Sequence, residues 1–389
     1  MPLSKLELLE KIAGGENLTV EFKEDVSQRS DTAGEMIAFA NTHGGWMLMG
    51  ITDDGQVVGV SQPDDIATQI TNIARHNCRP PLNPLLDYVD VDGKTVVVVE
   101  IPRRLGPPHE NNSGQCYVRV DSTKQLATTQ ERARLLQQAG LFAFDETPVP
   151  GTGLDDLDLA TFRAYYESFA GESLDEISVP LPRFLTSSRL VRPVNGQLAL
   201  TVAGLLVFGK RPQQVMRHSR ISAVRFIGPD AGEEIADRQE IEGRLPQLID
   251  AAEAFLARNT SLSGSIKGFQ RTDRPQYPRE ALREAVVNAV AHRDYSIAGA
   301  QIRLLVFDES LEVRSPGTLP NTMTLETIRF YNHASRNDLV TQFLSRMGYM
   351  KDFGTGIPRM IRLMKQHNDT EPEFELQGHE FVVRLRGET

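Results

Sequence analysis

Three acidic side chains near the N-terminus stand at the ends of apolar runs. Glu16 precedes the segment Leu18–Lys23, Glu21 lies within it, and Asp53 follows the run Trp46–Ile51. Metal-dependent phosphodiester cleavage needs about three carboxylates converging on a hard cation such as Mg²⁺ or Mn²⁺, with a lysine beside them to steady a phosphate oxygen. The alternation in Leu18–Lys23 predicts a half-buried strand that points Glu21 and Lys23 the same way. Read from pattern alone, the same acids also serve as turn and surface groups.

A second set lies far along the chain. Glu280, Glu284, Asn288 and His292 recur at intervals of four, forming one polar stripe on a helix otherwise built from Ala281, Leu282, Ala285, Val286, Ala289 and Val290. Downstream, Gly354-Thr355-Gly356 offers backbone N–H groups of the kind that cradle phosphates. An asparagine on such a helix can hold Mg²⁺ while a glutamate one turn earlier orients water. His292-Arg293-Asp294 and Asp352-Phe353-Gly354 spell two kinase signatures, but Gly299 stands where the catalytic loop requires asparagine, and no glycine-rich strand-loop precedes them. There is no Walker-type phosphate loop.

The elements that must position these groups follow from patterning. A short helix over residues 4–13, the strand with Glu21, a buried helix from Asp31, a stop at Asn41–Gly45, the apolar strand after it, and further strands and helices to Ala139 predict an α+β sheet with helices on one side. Asp145–Gly153, with its prolines and glycines, reads as a linker. The resulting division is a first domain over 1–144, a linker over 145–153, a mixed connector over 154–270 and a C-terminal domain over 271–389.

At 389 residues with 40% hydrophobic content, the chain has room for several cores. No apolar run reaches the ~18–20 residues that span a bilayer, and the N-terminal segment carries acids, so no membrane association and a cytoplasmic location are expected. Cys78 and Cys116 form no C-x-x-C pair. The net charge of −10 argues against coating nucleic acid by bulk electrostatics. Any contact needs a local patch, for which Arg103, Arg104, Arg119 and Lys124 are the candidates in the first domain. Residues 327–366, with seven basic and two acidic residues, are the candidate basic face near the C-terminus.

The string E-N-L-T-V-E-F-K, followed by A-F-A-N-T-H-G-G-W-M-L-M-G-I-T-D-D-G, resembles the Schlafen family and its bacterial AlbA-like relatives, a nucleic-acid-binding group. That resemblance implies Glu16, Glu21 and Asp53 as the acids of an endoribonuclease site acting on structured RNA such as transfer RNA. They would hold Mg²⁺ or Mn²⁺, with Lys23 beside them. The last third resembles the RecG-like module, similar to the ATP-binding fold of gyrase, Hsp90 and histidine kinases (GHKL), an α/β sandwich. Glu284 and Asn288 match its first box, and Gly354 and Gly356 match its later glycine loop. Where those ATPases carry the adenine-reading Asp-x-Gly-x-Gly, this chain has Ser315-Pro316-Gly317-Thr318-Leu319.

The expected function is a nucleic-acid-acting protein, an endonuclease regulated by a module binding ATP or another nucleotide, with a role in defence and assembly as a homo-oligomer. A non-catalytic DNA-binding transcriptional regulator with a ligand-sensing C-terminal domain is the alternative, and an ATPase-driven switch is a third.

Overall fold

The computed structural model describes residues 3–387 except 27, 104–105, 233, 261, 268–269, 320–322, 331–333 and 351–353, and of 262–274 the backbone alone. The chain divides into two compact units, Met1–Phe142 and Ala143–Thr389.

In the first unit, helix α1 (Lys5–Ala13) starts at a capping box in which Ser4 and Glu7 satisfy each other's backbone N–H. Then come β1 (Val20–Lys23), α2 (Arg29–Asn41), β2 (Gly45–Met49), α3 (Pro63–His76), β3 (Cys78–Arg79), β4 (Leu85–Val91), β5 (Lys94–Ile101), β6 (Glu110–Asn111), β7 (Tyr117–Val120), β8 (Thr123–Leu126) and α4 (Thr129–Gln138). The main sheet runs β1-β2-β5-β4. β1 and β2 are parallel, so the chain must cross over between them, and α2 is that crossover.

Helices cover both faces of this sheet, not one as the pattern suggested. Met47, Met49, Val97 and Val99 pack with Met36 and Phe39 of α2 and Ile70 of α3. Leu48, Val96 and Val98 pack with Val20, Phe22 and Leu8 of α1. The cause is that β2 and β5 are apolar at successive positions, as strands buried on both faces must be. The pair Gly44-Gly45 makes the entry to β2 possible. A Cβ on Gly45 would lie 2.5 Å from the Phe39 ring and from the Thr19 carbonyl, and one on Gly44 2.7 Å from the Arg103 nitrogen.

The second unit contains α5 (Leu159–Ala170), α6 (Leu181–Ser187), the hairpin β9 (Val191–Val194) and β10 (Gln197–Leu200), α7 (Val202–Phe208), α8 (Pro212–Val215), β11 (Ile221–Phe226), β12 (Ile235–Ile241) and α9 (Leu245–Asn259). It continues with the hairpin β13 (Leu262–Lys267) and β14 (Gln270–Pro275), α10 (Arg279–His292), β15 (Ile302–Val306), β16 (Ser310–Pro316), α11 (Asp338–Arg346), α12 (Gly356–Asn368), β17 (Glu373–Gln377) and β18 (Glu380–Arg386). Six strands form one sheet, β12-β11-β15-β16-β18-β17, with β11 parallel to β15.

The segment read as a connector therefore supplies two strands of the C-terminal sheet. Its helices α7 and α9 share one core with α10, α11 and α12. The stretch read as a linker is likewise packed. Val149 is buried and its N–H donates to the Leu200 carbonyl at 2.8 Å, while Asp145 is fully buried. The Asp145 carboxylate accepts from the first backbone N–H groups of α11, Leu339 at 2.7 Å and Val340 at 3.1 Å. It serves as that helix's capping group although it is distant in sequence. Proline and glycine content signalled irregular backbone there, but irregular backbone is not the same as a loose tether.

Among the described residues no helix is long and apolar enough to cross a membrane.

Candidate functional site

Strand β1 presents Val20 and Phe22 to the core below and Glu21 to the opposite side, where it meets α2 and the β7–β8 hairpin. Glu21 is only 6% exposed. Its Oε1 accepts from Lys23 Nζ at 2.6 Å and its Oε2 from Arg119 Nη1 at 2.8 Å. The same Arg119 nitrogen donates to Glu35 Oε2 at 3.1 Å, and Lys124 pairs with Glu35 Oε1 at 3.2 Å and with Asp31. Arg119 Nη2 donates to the carbonyls of Asn17 and Ser122, and its guanidinium lies 4.4 Å from the Phe39 ring centroid.

The electrostatics follow from this packing. Burial alone would lower Lys23, but its bond to Glu21 and the nearby charges of Glu21, Glu35 and Glu16 hold its ammonium above the ordinary lysine value. Burial, and then the neighbouring Glu21, push the Glu35 carboxyl up, against the opposing pull of Lys124 and Arg119. Lys124 is raised: the bond to Asp31 and the Glu35 charge outweigh its partial burial.

The other sequence-predicted residues of this unit are placed as follows. Glu16 spends Oε1 on the Phe22 N–H at 2.9 Å, tying the turn to β1. Asp53 is exposed. The acid that joins Glu21 is Glu35, which sequence reading passed over. Its signal was present, an acid in the middle of the apolar helix A-G-E-M-I-A-F-A, where an ion must have a partner. Among the described residues no group of three or more His, Cys, Asp or Glu side chains is placed to hold a metal ion. Both Glu21 oxygens accept from cationic side chains, Lys23 and Arg119. Arg119, a candidate phosphate contact, has a side chain with no exposed surface and is a structural cross-link. Lys124 is largely committed to its two acids. Arg103 is exposed and, among the described residues, makes no ion pair. Arg104 lies outside the described residues.

In the second unit, α10 carries its polar stripe along the sheet. Asn288 Nδ2 donates to Glu284 Oε1 at 3.3 Å. Asn288, His292, Gly354 and Gly356 come together around one cavity of about 120 Å³, with Val313, Ser315–Leu319, Met323, Ile328, Ile357, Phe381 and Val383 completing most of its wall. A Cβ on Gly356 would lie 2.0 Å from Glu284 Oε1, so the glycine turn sits directly against the Glu284–Asn288 pair. Ser315 donates to the Ala289 carbonyl at 2.9 Å, and Gly317 passes so near Asp294 that a Cβ would lie 2.9 Å from the aspartate's own.

The Arg293 and Asp294 of the kinase-like triplet are buried framework. Arg293 donates to the carbonyls of Asp294, Ile297 and Ala300, and Asp294 pairs with Arg336 at 3.3 Å. Asp352 and Phe353 lie outside the described residues. Of the seven basic residues over 327–366, Lys351 lies outside the described residues and four form ion pairs. Arg336 is buried on Asp294, Arg329 and Lys365 share Glu371, and Arg359 pairs with Glu280.

Fold and site together describe a protein of two compact units, each with its own main sheet and helices. Family comparison finds a Schlafen/AlbA-like domain in the first and a RecG-type, ATPase-like domain in the second, which makes this a nucleic-acid-related protein. Residues 16–128 match the family described as "Schlafen, AlbA_2", and residues 299–385 match "Putative ATP-dependent DNA helicase recG C-terminal". Between them, residues 133–221 match a "Domain of unknown function". The C-terminal match begins after α10, so Glu284, Asn288 and His292 lie outside it.

Similar solved structures include the DIP2311 protein from Corynebacterium diphtheriae, 22% identical with a TM-score of 0.48, covering 98% of this chain and 80% of that one. Another is the N-terminal domain of a "Putative ATP-dependent DNA Helicase RecG-related Protein" from Nitrosomonas europaea, 26% identical with a TM-score of 0.26, covering 32% of this chain and 94% of that one. No match was found among curated proteins.

Proposed function

We propose that this chain is a non-catalytic, DNA-binding regulator whose Schlafen/AlbA-like unit engages nucleic acid and whose C-terminal cavity receives a small effector. One observation carries the choice over a nuclease. The buried carboxylates Glu21 and Glu35 are neutralised by Arg119, Lys23 and Lys124, and among the described residues no group of three or more His, Cys, Asp or Glu is placed to hold a cation. A protein that cleaves through these acids would have to break a buried ion-pair network first, and such networks are costly to break.

The resemblance of the first unit to the AlbA-like nucleic-acid-binding group supports nucleic acid as the partner, and the DNA helicase name of the second matched family supports DNA. The effector reading is supported by a cavity whose mostly apolar lining includes Asn288 and His292, the sort of concave site in which small ligands bind. Fluorescence anisotropy of the intact chain with labelled duplex DNA and with a labelled RNA hairpin tests the first half. Saturable binding to duplex that weakens with salt is expected. Binding to neither probe at low salt would remove the nucleic-acid reading.

A further inference from the structure

In the first unit Lys5, Lys23, Arg119, Lys124 and Arg132 each form an ion pair with an acid of the same unit. Arg75, in the last turn of α3, and Arg79, at the end of β3, are exposed, and among the described residues neither has a carboxylate partner. We infer that the end of the unit where α3, β3 and the turn at 111–115 meet docks the phosphate backbone of duplex DNA, with Arg75 and Arg79 on its phosphates, a placement that rests on the DNA-binding reading above.

The first feature that leads there is local charge. Between Asp65 and Asp87 the chain has no acidic residue, although it carries 52 of them in 389 residues and a net charge of −10. An acidic protein can hold a polyanion only where its own carboxylates stand back, because each one near a phosphate cancels a cationic contact. The acid that the fold brings opposite Arg79 is Glu110, in the β3–β6 pair, and Arg132 neutralises it.

The second is a fixed backbone. Asn111 is buried, its Oδ1 accepts from the N–H groups of Ser113 and Gln115, each at 2.9 Å, and its Nδ2 donates to Gln115 Oε1. Asn112 Nδ2 donates to the His76 carbonyl at 2.9 Å, tying this turn to the end of α3, and the His109 ring meets the Pro80 carbonyl at 2.7 Å just after β3. Helix end, strand and turn are one block, so docking on it costs little ordering of the main chain.

The third is donor chemistry. Guanidinium groups present paired N–H donors that match phosphate oxygens. Asn72, one turn before Arg75 on α3, and Asn112 and Ser113 on the turn are exposed as well and add neutral donors. Contacts of this kind position a duplex without reading its sequence.

The test is fluorescence anisotropy of the intact chain with two labelled duplexes of unrelated sequence and a labelled RNA hairpin, over a salt series. Arg75→Glu/Arg79→Glu, Arg75→Gln/Arg79→Gln and Arg75→Lys/Arg79→Lys are run alongside, and Trp46 fluorescence in urea shows which are folded. The expected result is similar affinity for both duplexes and at least tenfold weaker binding in whichever of the Glu and Gln pairs is folded. The slope of log K on log salt flattens by roughly two in that variant, and the Lys pair keeps most of the affinity. Cations in the last turn of a helix also favour its dipole, and a role limited to that would move the urea midpoint but not the salt slope. Wild-type affinity and slope in a folded Glu or Gln pair overturn this surface and leave the DNA-binding reading in place. Binding of the RNA hairpin alone, or of no probe, overturns that reading and this inference with it.

Discussion

Arg119 Nη1 bridges Glu21 and Glu35, at 2.8 Å and 3.1 Å, inside the first unit, where the arginine side chain has no exposed surface. This one nitrogen joins β1 to α2 through the β7–β8 hairpin, elements remote in sequence. It also removes from the carboxylates the freedom a metal site would require.

Arg119→Met should leave two buried carboxylates with only the flanking lysines to balance them. The expected loss is about 3–5 kcal/mol, the range for breaking one side of a buried ion pair. Trp46, the only tryptophan, sits in β2 of the same unit, so its fluorescence in a urea titration follows this unit alone. Adding Glu21→Gln and Glu35→Gln to Arg119→Met should restore part of the loss. A midpoint for the single variant within error of wild type would contradict the cross-link.

Asp145 gives a pH dependence with a defined sign. Burial, offset only in part by the N–H groups of Val340 and Leu339, raises its carboxyl from 3.8 to about 6, with Glu146 and Asp338 adding to the rise. Below about pH 4 it is protonated in both folded and unfolded chains. As pH rises through 6 the folded state must bury the charge, at a cost of about 3 kcal/mol relative to acid pH. Asp145→Asn keeps an acceptor for the helix but does not ionise. Its stability relative to wild type should therefore improve between pH 4 and pH 6 and level off by pH 7. A difference that stays constant with pH contradicts the assignment.

Of the first-unit phosphate contacts suggested by the sequence, Arg103 is the one that is both described and exposed. Arg103→Ala should weaken duplex binding by about 2–10-fold at low salt and flatten the dependence of log K on log salt by roughly one. Asp53→Ala, at an exposed position outside the ion-pair network, should change neither stability by more than about 0.5 kcal/mol nor affinity downward. Removing an acid near bound nucleic acid can only reduce repulsion.

Much of this arrangement was legible in the residues themselves. The strand face shared by Glu21 and Lys23, the buried helix before Gly44-Gly45, and the polar stripe from Glu284 to His292 all follow from period and neighbour spacing. What sequence reading missed depends on contacts between distant segments. Nothing local to Arg119 distinguishes a buried cross-link from a surface cation, and nothing local to Asp145 shows that α11 sits over it. Glu35 is the instructive case, because an acid amid an apolar helix announces burial but not its partner. Likewise residues 154–270 read as a separate connector, and only the pairing of β11 with β15 and with β12 reveals that this segment extends the C-terminal sheet.

The central claim is that the first unit binds nucleic acid without cutting it, and incubation with end-labelled duplex DNA and transfer RNA, in Mn²⁺ and in EDTA, tests it most directly. The account predicts intact substrates in both conditions under concentrations where anisotropy shows binding. Mn²⁺-dependent cleavage that disappears in Glu21→Gln would contradict it, and would mean that the Arg119 network opens to admit a metal.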